Sequence, residues 1–157
     1  MLNTTCCFIG HRRIDESEEL KIKLRKEIER VIVEEGVGTF LFGSASRFDS
    51  LCHELVNEIK GKYPHIRRVY VRAEFPYINE QYEAYLLESY DETYYPEKIT
   101  GAGRASYVER NREMIEKSEI CIFYYNKANA PTNRKSGTGI AFDYAKKKDK
   151  RIIVFPK

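Results

Sequence analysis

The feature that most constrains the fold of this chain is a regular alternation between short apolar segments and longer segments with helical periodicity. The short segments have the length and composition of buried strands, while apolar residues at a period of 3.6 predict amphipathic helices. Strands that alternate with helices are typical of a mostly parallel sheet covered on both faces. The predicted strands are residues 4–9, 39–42, 67–73, 120–125 and 151–155, and the predicted helices are residues 18–34, 50–60, 108–117 and 138–148.

The predicted fold class is therefore α/β, a three-layer sandwich with a mostly parallel sheet of about five strands. At 157 residues, the chain is most simply a single domain, residues 1–157, with one hydrophobic core. The segment at about 77–107 interrupts the alternation and holds seven tyrosines. We interpret this segment as a helical insert whose rings mostly pack on the sheet, with one or two free to close over a ligand.

Composition excludes several classes of function. The formal net charge is +3, with 27 Lys and Arg against 24 Asp and Glu, unlike the one-sided basic composition of dedicated nucleic-acid binders. The four cysteines, Cys6, Cys7, Cys52 and Cys121, include no C-x-x-C pair, so we expect reduced thiols and no metal or cofactor. No apolar run reaches membrane-spanning length, and no signal peptide is apparent. These features predict a cytoplasmic protein without a membrane partner, and they disfavour a nucleic-acid partner.

Polar residues and glycines follow the ends of four predicted strands, which is where ligands bind in open α/β sheets. Glycine at such a turn permits close backbone approach, and hydroxyl or cationic neighbours favour an anion. The candidates are Gly10, His11 and Arg12 after the first strand, Gly43, Ser44, Arg47, Phe48 and Asp49 after the second, Glu74 after the third, and Ser136, Gly137 and Thr138 after the fourth. Together they predict a site for an anionic ligand.

Simpler explanations exist for individual residues, and the sequence leaves some of them open. Any one glycine is explained by the turn alone. A lone histidine is more often structural than catalytic, so His11 is not expected to be an acid or base. Capping of a helix explains Asp49 as well as ribose binding does. Arg110 and Asn111 lie early in a helix with alternating charges. The pattern explains Arg110 equally well as a solvent-exposed helix residue and as a residue that contacts phosphate.

Several short motifs follow one another in order along the chain. They are Gly10-His11-Arg12, the turn at residues 43–49, Lys60 and Pro64 before a strand, Phe75-Pro76 after it, then Tyr107, Arg110-Asn111, Met114, Ser118 and Gly137-Thr138. In this order the chain resembles the SLOG superfamily over nearly its whole length, and most closely the YpsA-like branch. The DNA-processing DprA/Smf proteins and the Lonely Guy phosphoribohydrolases are related members of that superfamily.

The resemblance implies a Rossmann-like fold with a pocket for a nucleotide or a nucleotide-derived small molecule. Phosphate is then expected on the glycine turns with Arg12, Arg47 and Arg110 as counter-charges, and Asp49 or Glu74 on ribose hydroxyls. Superfamily relatives sense nucleotide signals in bacterial antiviral defence, so a stand-alone domain is expected to sense or sequester such a signal. Relatives are frequently dimers, which implies a homo-oligomer, a dimer or larger.

Two departures from the relatives bear on function. Where YpsA-like and DprA-like proteins tend to have a further glycine, this chain has Arg47-Phe48, expected to add a cation and an aromatic face at the pocket mouth. Lonely Guy enzymes carry a glutamate three positions after the threonine that resembles Thr138, but this chain has Ala141 there. We therefore expect binding rather than cleavage.

Two alternative functions remain open at the level of sequence. The first is a nucleoside 5′-monophosphate phosphoribohydrolase, in which Glu74 supplies the carboxylate and Arg110 binds phosphate. The second is DprA-like binding of single-stranded DNA, which the near-balanced charge makes the least favoured.

Overall fold

In the computed structural model, which describes residues 4–43, 46–73, 80–97, 105–126 and 136–156, strands and helices alternate as the sequence predicts. The elements are β1 (Thr4–Gly10), α1 (Glu18–Glu35), β2 (Val37–Phe42), α2 (Arg47–Lys60), β3 (Arg67–Val71), α3 (Glu80–Leu87), β4 (Glu92–Tyr94), α4 (Ser106–Glu116), β5 (Ile120–Tyr124), α5 (Gly137–Lys147) and β6 (Arg151–Phe155). The predicted α/β class is confirmed. Among the described residues the sheet has six strands rather than about five.

All pairs of neighbouring strands are parallel, and their order in the sheet is β4-β3-β2-β1-β5-β6. The chain builds outward from β1 in one direction and then crosses over to add β5 and β6 on the other side. The strand order therefore reverses between β1 and β5. In doubly wound sheets, ligands bind in the crevice at this switch point, beyond the carboxyl ends of the strands.

Two apolar layers cover the sheet, one on each face. On one face, Leu24 of α1 and Leu51 of α2 pack with Phe8 of β1 in a large cluster. On the other face, Met114 of α4 and Ala145 of α5 pack in a second cluster. Side chains of β1 alternate between the two layers because successive residues of a strand point to opposite faces. This arrangement confirms the predicted three-layer sandwich.

Local capping sets the boundaries of the two helices that follow β1 and β2. Ser17 caps α1 through its hydroxyl, which accepts from the Leu20 N–H at 3.1 Å, and α1 ends at Gly36 in the left-handed conformation, with φ of 70°. Ser46 caps α2 in the same way for the Asp49 N–H. Because this cap precedes Arg47, α2 begins three residues before the predicted start at residue 50.

The tyrosine-rich insert is not wholly helical, which is a correction to the sequence prediction. It supplies α3 and then the short strand β4, which lengthens the sheet beside β3. The Tyr90 ring stacks on His53 of α2, with centroids 4.0 Å apart and planes 11° apart. Asp91 accepts from both the backbone and the guanidinium of Arg68. These contacts attach the insert to the main domain.

The four cysteines are free and buried. None of the helices in the described part of the chain is both long enough and apolar enough to cross a membrane.

Candidate functional site

The candidate site is the carboxyl edge of the sheet around the switch point between β1 and β5. Gly10, the last residue of β1, lies beside Tyr124 in the β1–β5 ladder. Helix α5 connects the end of β5 to the start of the parallel strand β6, so its first turn opens at this same edge. The predicted site residues that the structure describes therefore lie at one end of the molecule, but they serve different purposes there.

Gly10 is required by packing inside the protein. A Cβ added to Gly10 would lie 2.4 Å from Cδ2 of Phe48 and 2.6 Å from its Cγ. Phe48 itself is fully buried, with 0% of its surface exposed. The expectation that Phe48 presents an aromatic face at the pocket mouth is therefore wrong. As the second residue of α2, it points inward to the core, where its ring lies near those of Phe8 and Tyr124.

His11 connects the ends of the two strands that flank the switch point. Its Nε2 accepts a hydrogen bond from the Asn126 N–H at 3.0 Å, and the residue is 8% exposed. An accepting Nε2 carries no proton, so the imidazole is neutral with its proton on Nδ1. Burial lowers the pKa of His11. In this structure His11 therefore makes a structural contact between the two strand ends.

The lowered histidine pKa predicts a loss of stability in mild acid. Burial also lowers the pKa of His53, whose Nε2–H donates to the Ser89 carbonyl at 3.0 Å. The unfolded chain then binds more protons than the folded one below about pH 6.5, so this contribution is complete above that pH and is lost as the pH falls through the folded pKa values. Urea unfolding midpoints are expected to fall between pH 7 and 5.5.

The matched variants for this pH experiment differ in histidine burial. His11→Gln is expected to reduce the dependence of the urea midpoint on pH, whereas His65→Gln removes an exposed histidine and is the control. Equal pH dependence in His11→Gln, His65→Gln and the wild type would contradict the role given to the buried ring.

Arg12 and Arg13 line an open cleft immediately beyond β1. The cleft has a volume of about 380 Å³, and its described lining is His11, Arg12, Arg13, Ile14 and Asp15. Both arginine side chains are exposed, and in the described part of the chain neither guanidinium has a hydrogen-bond or ion-pair partner. The sequence analysis included Arg12 among the site residues but missed Arg13. The signal that could have identified it is its position directly after Arg12, in the run Gly-His-Arg-Arg.

Arg47 is neutralised by two carboxylates. Its Nε donates to Glu16 at 2.7 Å and its Nη1 donates to Glu54 at 2.9 Å, with a second contact from Nη2 to Glu16. These bonds raise the pKa of Arg47. The backbone N–H of Arg47 also donates to the Arg12 carbonyl at 3.0 Å. Arg47 thus fixes the loop after β1 onto α2, so its charge is already compensated where the sequence suggested a counter-charge for phosphate.

Asp49 belongs to the turn between β2 and α2. Its carboxylate accepts from the Gly43 N–H at 3.3 Å, its own N–H donates to the Ser46 hydroxyl, and the residue is 2% exposed. These contacts favour a structural role over ribose binding, because the buried carboxylate already accepts from a backbone N–H of the turn, while Ser46 is the residue that caps α2. Ser44, the other predicted residue of this turn, lies outside the described residues, as does Glu74 after β3.

Arg110 and Gly43 form one packed unit. The Arg110 Nη1 donates to the Gly43 carbonyl, and its Nε donates to the Asn111 amide oxygen at 2.9 Å. A Cβ on Gly43 would lie 2.8 Å from Cδ of Arg110 and 3.0 Å from Sδ of Met114. Arg110 is only 3% exposed, with its guanidinium 5.7 Å from the centre of the Tyr107 ring. The arginine therefore lies beneath the turn at Gly43 and supports it.

The first turn of α5 is capped but remains approachable. The Ser136 hydroxyl accepts from the Gly139 N–H at 2.9 Å. Gly137 is exposed, and a Cβ there would meet nothing within 4 Å. Thr138 is 7% exposed and so contributes little surface. Glycine at 137 leaves open space in front of the helix backbone.

Ala141, on the next turn of α5, occupies an apolar position. It is 2% exposed and lies in the cluster that contains Cys7, Ile9 and Met114. Asp143 is exposed, on a different face of α5. The position at which Lonely Guy enzymes carry their glutamate thus faces the core here. Within the described residues, no group of three or more His, Cys, Asp or Glu side chains is arranged to hold a metal ion.

Comparison with known proteins identifies the family. The family model described as the YspA SLOG family, YpsA, matches residues 11–156. No curated protein matches the chain. The match begins at His11 in the loop after β1 and extends to Pro156, so it includes nearly all elements described above. Membership points to nucleotide-related binding or processing in general. With the parallel sheet and its switch point, the match shows that the chain belongs to the YspA SLOG family.

Proposed function

We propose that this protein binds a nucleotide or a nucleotide-derived small molecule, with phosphate held against Arg12 and Arg13. The observation that carries the proposal is the pair of exposed guanidiniums, without described partners, lining a cleft of about 380 Å³ at the switch point. That volume is within the range of about 300–1,000 Å³ found for small-molecule sites. A guanidinium presents donors in a planar fork that matches phosphate oxygens.

The surroundings of this cleft support an anionic ligand. Arg47 at the start of α2 is engaged by Glu16 and Glu54, so Arg12 and Arg13 supply the uncompensated positive charge of the loop. The first turn of α5 opens at the same edge, with free space at Gly137. Backbone N–H groups at the start of a helix favour negative charge. A phosphate held by both the loop after β1 and the first turn of α5 suits the nucleotide-related role to which membership of the family points.

Binding is a better proposal than cleavage for this site. An oxocarbenium-like transition state at ribose requires a nearby carboxylate. On α5, Ala141 stands where the related enzymes have that acid, and the apolar cluster around it would disfavour a charged group. Asp49 is buried and accepts from the Gly43 N–H. A domain that holds a nucleotide without cutting it suits a sensor or a protein that sequesters a nucleotide signal.

The test is calorimetric titration of purified protein with ADP-ribose, AMP, cyclic ADP-ribose isomers and cyclic dinucleotides. The Arg12→Gln/Arg13→Gln double variant is expected to weaken binding of whichever ligand is bound by at least tenfold, because each charge-assisted hydrogen bond contributes about 1.5–3 kcal/mol. Raising salt from 50 to 500 mM is expected to weaken wild-type binding as well.

The matched control is Arg67→Gln, which removes an exposed arginine at the start of β3, at the opposite edge of the sheet. It is expected to leave affinity unchanged. The proposal fails if none of these ligands produces heat or a thermal shift, or if Arg67→Gln weakens binding as much as the double variant does.

A further inference from the structure

A second, smaller pocket adjoins the proposed phosphate cleft. It has a volume of about 170 Å³ and lies between the first turn of α1 and the carboxyl ends of β5 and β6. Asp15 lines both this pocket and the larger cleft, so the two are neighbours on either side of one residue. The lining of the small pocket is Asp15, Ser17, Glu19, Leu20, Lys23, Tyr124, Phe155 and Pro156.

The inner wall of this pocket is apolar with one polar atom. Leu20 and Phe155 belong to the large core cluster and leave only a few per cent of their surfaces exposed. The Tyr124 hydroxyl accepts from the Asp15 N–H at 3.1 Å. No described residue accepts the proton of that hydroxyl, so Tyr124 is able to donate to a group in the pocket. A planar heterocycle with one hydrogen-bond acceptor fits this wall, because its faces would lie against apolar side chains and its acceptor would meet the Tyr124 hydroxyl.

The rim of the pocket is acidic, in contrast to the cationic cleft beside it. Asp15 is exposed, and its carboxylate has no hydrogen-bond or ion-pair partner in the described part of the chain. Glu19 is paired with Lys23 at 2.8 Å, so those two charges compensate each other. Asp15 therefore supplies the uncompensated negative charge of the rim. An ionised carboxylate accepts hydrogen bonds only, so it selects a ligand group that donates.

We propose that this pocket binds the heterocyclic base of the ligand, and that Asp15 selects a base with an exocyclic amino group. The inference rests on the proposed function, because it extends one ligand from the phosphate cleft across Asp15 into the adjoining pocket. The small volume is below that of a whole-ligand site and suits a single ring system. Apolar walls then cover the ring, while Tyr124 donates to a ring acceptor and Asp15 accepts from the amino group.

The experiment compares AMP with IMP, which has a carbonyl where AMP has the amino group, and with ribose 5-phosphate, which has no base. Wild-type protein is expected to bind AMP about three- to tenfold more tightly than IMP, as one hydrogen bond to a solvent-accessible carboxylate allows. Asp15→Asn is expected to remove this preference; because it also takes a negative charge from the lining of the phosphate cleft, it is expected to leave the affinity for ribose 5-phosphate undiminished or somewhat higher. Asp149→Asn, at an exposed carboxylate between α5 and β6, is the control and is expected to keep the preference.

The outcomes separate this inference from the proposed function. The base pocket is overturned if the wild type binds AMP and IMP equally well, or if the Asp15→Asn variant keeps the preference for AMP. The phosphate cleft stands in that case if the Arg12→Gln/Arg13→Gln variant still binds all three ligands more weakly than the wild type does. Absence of binding of all three to the wild type overturns the base pocket, whereas the phosphate cleft is overturned only if ADP-ribose and the cyclic nucleotides fail to bind as well. Thermal melting of Asp15→Asn, expected to match the wild type, verifies that its loop remains folded.

Discussion

Replacing Gly10 with alanine is expected to lower the free energy of unfolding by about 2–3 kcal/mol, the upper part of the range for overpacked cores. The new Cβ would lie 2.4–2.7 Å from three carbons of Phe48, closer than real Cβ contacts. Relief is difficult because Phe48 is fully buried, with the Tyr124 ring 5.7 Å away. Gly10 also ends β1, which is paired on both sides. Urea unfolding measures the loss.

Two further variants separate packing from the general effect of removing a glycine. Gly137→Ala introduces a Cβ with no neighbour within 4 Å, so it is expected to leave stability unchanged or raise it by about 0.4–1 kcal/mol. In a Phe48→Leu background, Gly10→Ala is expected to cost less than in the wild type, since the two residues are in contact. Equal costs at Gly10 and Gly137, or a cost at Gly10 that Phe48→Leu does not change, would contradict the packing explanation.

Much of the fold was predictable because the apolar periodicity is strong wherever an element crosses the core. The exception is β4, a three-residue strand of Glu92, Thr93 and Tyr94 without a buried residue. Thr and Tyr are common in strands, but three residues without a buried position form no alternating pattern, and the place of β4 depends on the edge of β3 and on contacts such as that between Tyr90 and His53. The early start of α2 was predictable, since Ser46 followed three residues later by Asp49 is a capping pattern.

The candidate site was predictable in position but not in the role of each residue. The carboxyl edge follows from the alternation of strands and helices. Roles depend on partners far away in sequence: Arg47 pairs with Glu16, 31 residues earlier, and Arg110 donates to the Gly43 carbonyl, 67 residues earlier. Short-range patterns do not contain such pairings. The same limit explains Phe48, whose exposure depends on which face of α2 meets β1.

Arg110→Ala is expected to lower the free energy of unfolding by about 3 kcal/mol, the second large effect. The truncation removes a charge-assisted hydrogen bond to the Gly43 carbonyl, which is worth about 1.5–3 kcal/mol. It also leaves a cavity, because Arg110 is only 3% exposed. The matched control is Arg112→Ala on the same helix. Arg112 pairs with Glu109 at 2.9 Å and lies 5.1 Å from the centre of the Tyr144 ring, on a partly exposed face, so its loss is expected to be about 1 kcal/mol.

The structural role of Arg110 also affects any measurement of nucleotide binding by its variants. Because Arg110 supports the turn at Gly43 from below, its removal is expected to displace that turn, and any loss of nucleotide affinity in Arg110→Ala then has two causes. Arg110→Lys keeps the charge but not the fork that reaches both Gly43 and Asn111. If Arg110→Lys is as unstable as Arg110→Ala, the fork holds the turn. Melting temperatures of Arg110→Ala and Arg112→Ala that fall equally would contradict the supporting role.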